Sequence, residues 1–274
     1  MRLLIVLLSA ACSVPPTGTA EAQVTGPLRA YFIGNSLTLD ARLEGVAAMG
    51  GVEVGWHIRG ARGLNYMETT PGNVSSVQPS SWPTALMSGD WDCLILQPYD
   101  VAGVTLLQEL DAAADLIAYA VAYQPNVRVF LYMTWPAQGP DYAADWLTAV
   151  PNDLDAAIPR RRGTFENLRA RLAVRTNRRI DLVPVGEVLL EIDRGALVAT
   201  GVTSPWSMYF DAIHLRREDG GEYMAGVTTW ASITGDDPRG EPRPPVWYGG
   251  PTVISAELEL AIQETAYSVL ELRR

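Results

Sequence analysis

Tyr31-Phe32-Ile33-Gly34-Asn35-Ser36-Leu37-Thr38 is an apolar run that climbs into a small residue, an amide and a serine. A helical apolar pattern follows over Leu39 to Met49, and Gly50-Gly51 ends it. That order describes a strand stopping at a sharp turn with a hydroxyl at its tip. Ser36 can be read as a helix N-cap, which serine supplies routinely. It can also be read as a nucleophile, provided the rest of the chain supplies a base, a partner for that base and donors for an oxyanion.

Outward from this turn, the 274 residues alternate between strand and helix patterns. Strands are expected over 28–34, 52–58, 92–97, 127–133 and 180–185. Between Asp92 and Gln97 the run Cys93 to Leu96 is continuously apolar, as in a sheet covered on both faces. Leu106, Leu107, Leu110, Ala114, Ile117 and Val121 form a helical stripe that Pro125 stops. Further helices are expected around Phe165 to Leu172, over Val188 to Ile192, from about Glu218 to Ile233, and through Leu258 to Val269. The stretch from Arg59 to Pro83 reads as loop, and 134–162 as an insertion rich in proline and aromatic residues. Strands alternating with helices imply an α/β fold with a parallel sheet and helices on both faces. No linker separates two cores, so residues 23–274 are expected to form one domain. Ser36, the glycines after Ile58, Gln97 and Trp135 all leave strands at the carboxyl edge, where open sheets of this kind carry their sites.

Composition narrows the function. The formal net charge is −10, which argues against a nucleic-acid groove and against attraction to anionic lipid. Met1-Arg2, an apolar run from Leu3 to Ala11 and the small-x-small triplet Ala20-Glu21-Ala22 read as a signal peptide over residues 1–22. The mature chain is then secreted or periplasmic, with no stable membrane insertion once cleaved. Of two cysteines, only Cys93 survives that cleavage, inside a buried strand pattern where an inert thiol is expected. The chain holds two histidines, His57 and His214. Any imidazole chemistry must use one of them, and zinc-type ligand spacing is lacking.

His214 lies three residues after Asp211. A serine needs a base to take its proton, and the base needs a carboxylate to hold its tautomer and stabilise its cation. Asp211 and His214 meet both needs if their loop folds back over Ser36. The backbone N–H of Ser36, a glycine N–H from Gly60-Ala61-Arg62-Gly63 and the side-chain amide of Gln97 are candidate oxyanion donors. Trp135 and Trp206 lie on loops expected near the site, where they can stack on a sugar or line an acyl pocket. Trp146 and Tyr209 belong with them.

Taken together, Gly34-Asn35-Ser36-Leu37-Thr38, the glycine block after the second strand, the amide after the third and Asp211-x-x-His214 resemble the SGNH (GDSL-type) hydrolase superfamily from about Leu28 to about Ile233. The resemblance implies a three-layer, flavodoxin-like α/β/α sandwich around a parallel sheet of about five strands. It also implies ester hydrolysis through an acyl-serine, with no metal or cofactor. Carried over, it makes Ser36 the nucleophile, His214 the general base and acid, and Asp211 its orienting partner. Gly63 matches the glycine donor best and Gly60 is the alternative. Two positions depart from the pattern: Asn35 stands where an aspartate is usual, and Gln97 where an asparagine is usual. The expected activity is that of a secreted serine esterase on a small-molecule or carbohydrate ester, with O-acetyl sugars foremost. A lipid esterase or thioesterase, an acyltransferase and an inactive carbohydrate-binding protein stay open beside it.

Overall fold

In the computed structural model, strand β1 (Leu28–Gly34) is an inner strand, paired in parallel with β2 (Val52–Ile58) on one side and β3 (Cys93–Leu96) on the other. Residues 26–72, 81–100, 102–139, 141–150, 153–157, 159–196, 208–216, 220–241 and 254–273 are described. The expected signal peptide and Trp206 lie outside them. Strands β4 (Arg128–Tyr132) and β5 (Ile180–Val183) complete a five-stranded parallel sheet of order β2-β1-β3-β4-β5. All five strands sit where the apolar runs put them, and the α/β sandwich is the fold expected. The order reverses between β1 and β3, so a crevice opens at the carboxyl end of β1. Ser36 stands at that crevice.

Ten α-helices among the described residues cover the sheet, and a π-helical turn (Ile192–Ala196) extends the eighth. They are α1 (Ser36–Leu39), α2 (Leu43–Ala48), α3 (Leu64–Thr69), α4 (Trp82–Ser88), α5 (Leu106–Tyr123), α6 (Tyr142–Leu147), α7 (Arg162–Thr176), α8 (Val185–Glu191), α9 (Gly221–Thr234) and α10 (Ala256–Glu271). Alternation along the strands divides the core in two. Ala30, Phe32, Cys93, Ile95 and Phe130 pack under α2, α8, α9 and α10. Tyr31, Ile33, Leu94, Leu96 and Val129 pack under α3, α4, α5 and α7. A strand buried on both faces has no polar positions to spare, which is why β3 reads as continuously apolar. Thr105 and Gln108 form a reciprocal capping box at the start of α5, a device that contributes about 1 kcal/mol.

Two local expectations change. The helix expected over Leu39 to Met49 breaks into α1 and α2 because Arg42 takes a left-handed backbone, φ 48°. The loop expected from Arg59 to Pro83 contains α3. Its first N–H groups, on Leu64 and Asn65, donate at 3.0 Å each to the carboxylate of Glu109, which lies on α5. A helix start satisfied by a side chain 45 residues away leaves no local capping pattern.

Candidate active site

Gly34 ends β1 because nothing larger fits there. A Cβ on it would come within 3.0 Å of Thr38 Oγ1 and of the Gln97 side chain. Beyond it, Asn35 caps α1 by accepting from the Leu37 N–H at 3.0 Å, and its Nδ2 donates to the Arg62 carbonyl at 3.1 Å. The amide therefore ties the serine turn to the loop after β2. Gln97 Oε1 accepts from the Asn35 N–H and from Thr38 Oγ1, both at 2.9 Å. With its oxygen so held, its Nε2 faces and donates to the Pro98 carbonyl at 3.2 Å. One of the two Nε2 hydrogens is used in this way, and Gln97, buried, braces the turn that presents Ser36 through its oxygen. The extra methylene relative to asparagine lets the group reach across from β3 to the turn.

The N–H groups of Ser36 and Gly63 donate to no acceptor among the described residues. Gly63 is buried, and a Cβ there would fall within 3.0 Å of the Glu109 carboxylate. Gly60, the alternative, is exposed with open space around the position of a Cβ. Glu109 is a residue that sequence reading missed. It sits within the apolar stripe of α5, and a carboxylate at such a position is the clue that it serves buried donors. Burial pushes its carboxyl group up, against the pull of the Asn65, Leu64 and Tyr99 N–H groups.

Residues 208–216 form a narrow loop closed by the Phe210 N–H to His214 carbonyl bond and the Arg216 N–H to Met208 carbonyl bond, 2.7 Å each. Inside it, Asp211 Oδ1 accepts from the Ile213 and His214 N–H groups at 2.8 Å, and Asp211 Oδ2 lies 2.9 Å from His214 Nδ1. His214 Nε2 lies 3.0 Å from Ser36 Oγ, across 178 residues of sequence. Slight burial pushes the Asp211 carboxyl up, but the two N–H groups and the imidazole together bring it down to about 2. An ionised carboxylate can only accept, so Nδ1 carries the proton and Nε2 is left to accept from the Ser36 hydroxyl. The chain thus brings together the three residues that the sequence singled out, in hydrogen-bonded order.

The aromatic residues expected to line this site are mostly beneath it. Trp135 is fully buried and donates its indole N–H to the Ile213 carbonyl at 2.7 Å. This corrects the expectation of a substrate platform, since a ring with no exposed face cannot stack on a sugar. Tyr209 is buried with its hydroxyl on the Pro136 carbonyl, 2.8 Å, and Trp146 is buried with its indole on Glu187, 2.8 Å. His57 is buried on β2 with neither ring nitrogen bonded. Burial, with the charge of Arg59, lowers its pKa to about 4, so it is a neutral core residue away from the triad's chain of bonds.

No protein-family model matches the sequence, and no curated protein is similar to it. Solved structures share its fold. A DUF4886 family protein from Bacteroides uniformis superposes with a TM-score of 0.63 at 15% identity, covering 90% of this chain and 96% of that one. A member of the lipolytic protein G-D-S-L family from Veillonella parvula gives 0.51 at 14% identity, covering 76% and 98%. At such identities the likeness is one of fold, and the chemistry has to be argued from the side chains.

Proposed function

We propose that this chain is an exported serine esterase that cleaves carboxylic esters through an acyl-serine intermediate, with O-acyl carbohydrate as its substrate. One observation carries the reading: Asp211, His214 and Ser36 are joined in that order at 2.9 Å and 3.0 Å. Ser36 Oγ adds to the ester carbonyl carbon as His214 Nε2 takes its proton. The oxyanion that forms is received by the unpaired N–H groups of Ser36 and Gly63. Collapse expels the alcohol, which leaves with the proton from Nε2. Water then repeats the sequence on the acyl-serine and releases the acid. Fold likeness to a protein described as lipolytic supports ester chemistry in general. The signal-peptide pattern before Gln23 supports export.

Hydrolysis of p-nitrophenyl acetate by the wild type and by Ser36→Ala tests the reaction. The variant is expected to lose essentially all turnover, and equal rates would sink the proposal. Acetylated xylan and a p-nitrophenyl series from acetate to palmitate test the substrate. Steep preference for long chains would replace the carbohydrate ester by a lipid one.

A further inference from the structure

The triad closes only if two segments far apart in sequence hold a fixed distance, and one side chain outside the triad spans them. Asp40 follows the serine by four residues. Its own N–H bonds to the Ser36 carbonyl at 3.3 Å, while its Oδ2 accepts from the Leu215 N–H at 3.0 Å. Leu215 is the residue after His214. The path Ser36, Asp40, Leu215, His214 and back to Ser36 is therefore a closed ring of short contacts. We propose that Asp40 is a positioning residue that clamps the histidine loop to the nucleophile helix and so sets the Ser36–His214 contact; this rests on the esterase reading above.

The surroundings are built for that task. Asp40 is buried, and its carboxylate is faced by the imidazole of His214, by Glu222 at the start of α9, by Arg42, and by the phenol of Tyr132 on β4. Arg42 pairs with Glu222, so the left-handed turn at Arg42 that splits α1 from α2 points a cation at α9. The loop that carries His214 rests on the same helix start. The Glu222 N–H donates to the Arg216 carbonyl at 3.2 Å, and a Cβ on Gly221 would come within 3.0 Å of the Met208 carbonyl. Trp135 supports that loop on a different side, at Ile213. Asp40 is distinguished from these supports because it alone among them belongs to the serine's own helix end.

The test compares Asp40→Asn and Asp40→Ala with Ser36→Ala, following kcat, KM and the rate of labelling by a fluorophosphonate. Asp40→Asn keeps an oxygen for the Leu215 N–H, so it is expected to stay within about five-fold of the wild-type kcat. Asp40→Ala, checked for folding by circular dichroism, is expected to lose 10- to 100-fold in kcat and labelling with KM nearly unchanged. If Asp40→Ala keeps wild-type kcat while Ser36→Ala is dead, the clamp is overturned and the esterase reading stands. If Ser36→Ala is as active as wild type, it is the esterase reading that fails. Should Asp40→Ala not fold, Asp40→Leu, which fills the space but offers the Leu215 N–H no acceptor, takes its place, and wild-type kcat and labelling in it overturn the clamp.

Discussion

Trp135 and Ile213 are joined by an indole N–H to carbonyl bond of 2.7 Å, 78 residues apart in sequence. The loop that leaves β4 thereby supports the loop that carries the imidazole. The Gln138 N–H adds a second strut at the Ala212 carbonyl, 2.8 Å. Trp135→Phe keeps most of the ring volume but leaves the Ile213 carbonyl unpaired, which costs about 1–3 kcal/mol. The expected result is a lower urea midpoint and a several-fold fall in kcat with KM little changed. A fall confined to KM would instead return Trp135 to the substrate.

Asp211 accepts two backbone N–H groups and the imidazole, so its carboxyl group stays ionised down to about pH 2. Protonation of Asp211 should accordingly cost no activity across the neutral and mildly acidic range. Asp211→Asn cannot hold the imidazole in the same tautomer, and a loss on the order of 10⁴ in kcat is expected. Pre-steady-state turnover of p-nitrophenyl acetate measures it.

Gly63→Ala pushes a methyl group into the Glu109 carboxylate. Either Glu109 withdraws from the start of α3 or the Gly63 N–H turns away from the site. Loss of one oxyanion donor costs 10²- to 10³-fold in kcat, and that loss is expected here. Gly60→Ala, at an exposed position with open space, should leave kcat within about two-fold. The opposite ranking would make Gly60 the donor.

Stability should fall with pH through one buried carboxyl group. Burial raises the Asp40 pKa from its ordinary 3.8 to about 7, with the Leu215 N–H, His214 and Arg42 opposing and Glu222 reinforcing. Between about pH 4 and pH 7 the folded chain therefore binds a proton that the unfolded chain has released. Its contribution is whole below pH 4 and lost as pH rises through 7, on the order of 4 kcal/mol in all. Urea unfolding at pH 4, 6 and 8 should show this decline in the wild type and a flatter profile in Asp40→Asn.

The sheet was legible because its inner strands, β3 above all, are buried on both faces and read as apolar runs. The triad was legible because a chain with two histidines offers few choices, and because Asp211 and His214 lie within one turn of each other. What escaped were the side chains that support the site from remote segments. Nothing near Leu64 announces that Glu109 caps it, and nothing near Leu215 announces Asp40. Gln97 was located correctly at the strand end, yet amides donate and accept with equal ease, and only the neighbours decide which end faces the serine turn. Trp135 sat on the expected loop, but its burial depends on the 208–216 segment folding over it.

The span of 178 residues between Ser36 and His214 has a consequence for when the chain becomes competent. A growing polypeptide that has emerged only through β5 already contains every strand and the serine turn, but lacks His214. The hydroxyl stays unactivated until the segment from Met208 to Arg216 has been made and seated against β4 and α9. On the proposed esterase reading, reactivity is switched on by the completion of folding itself, so labelling of Ser36 during synthesis or refolding would time the last tertiary event, not the first.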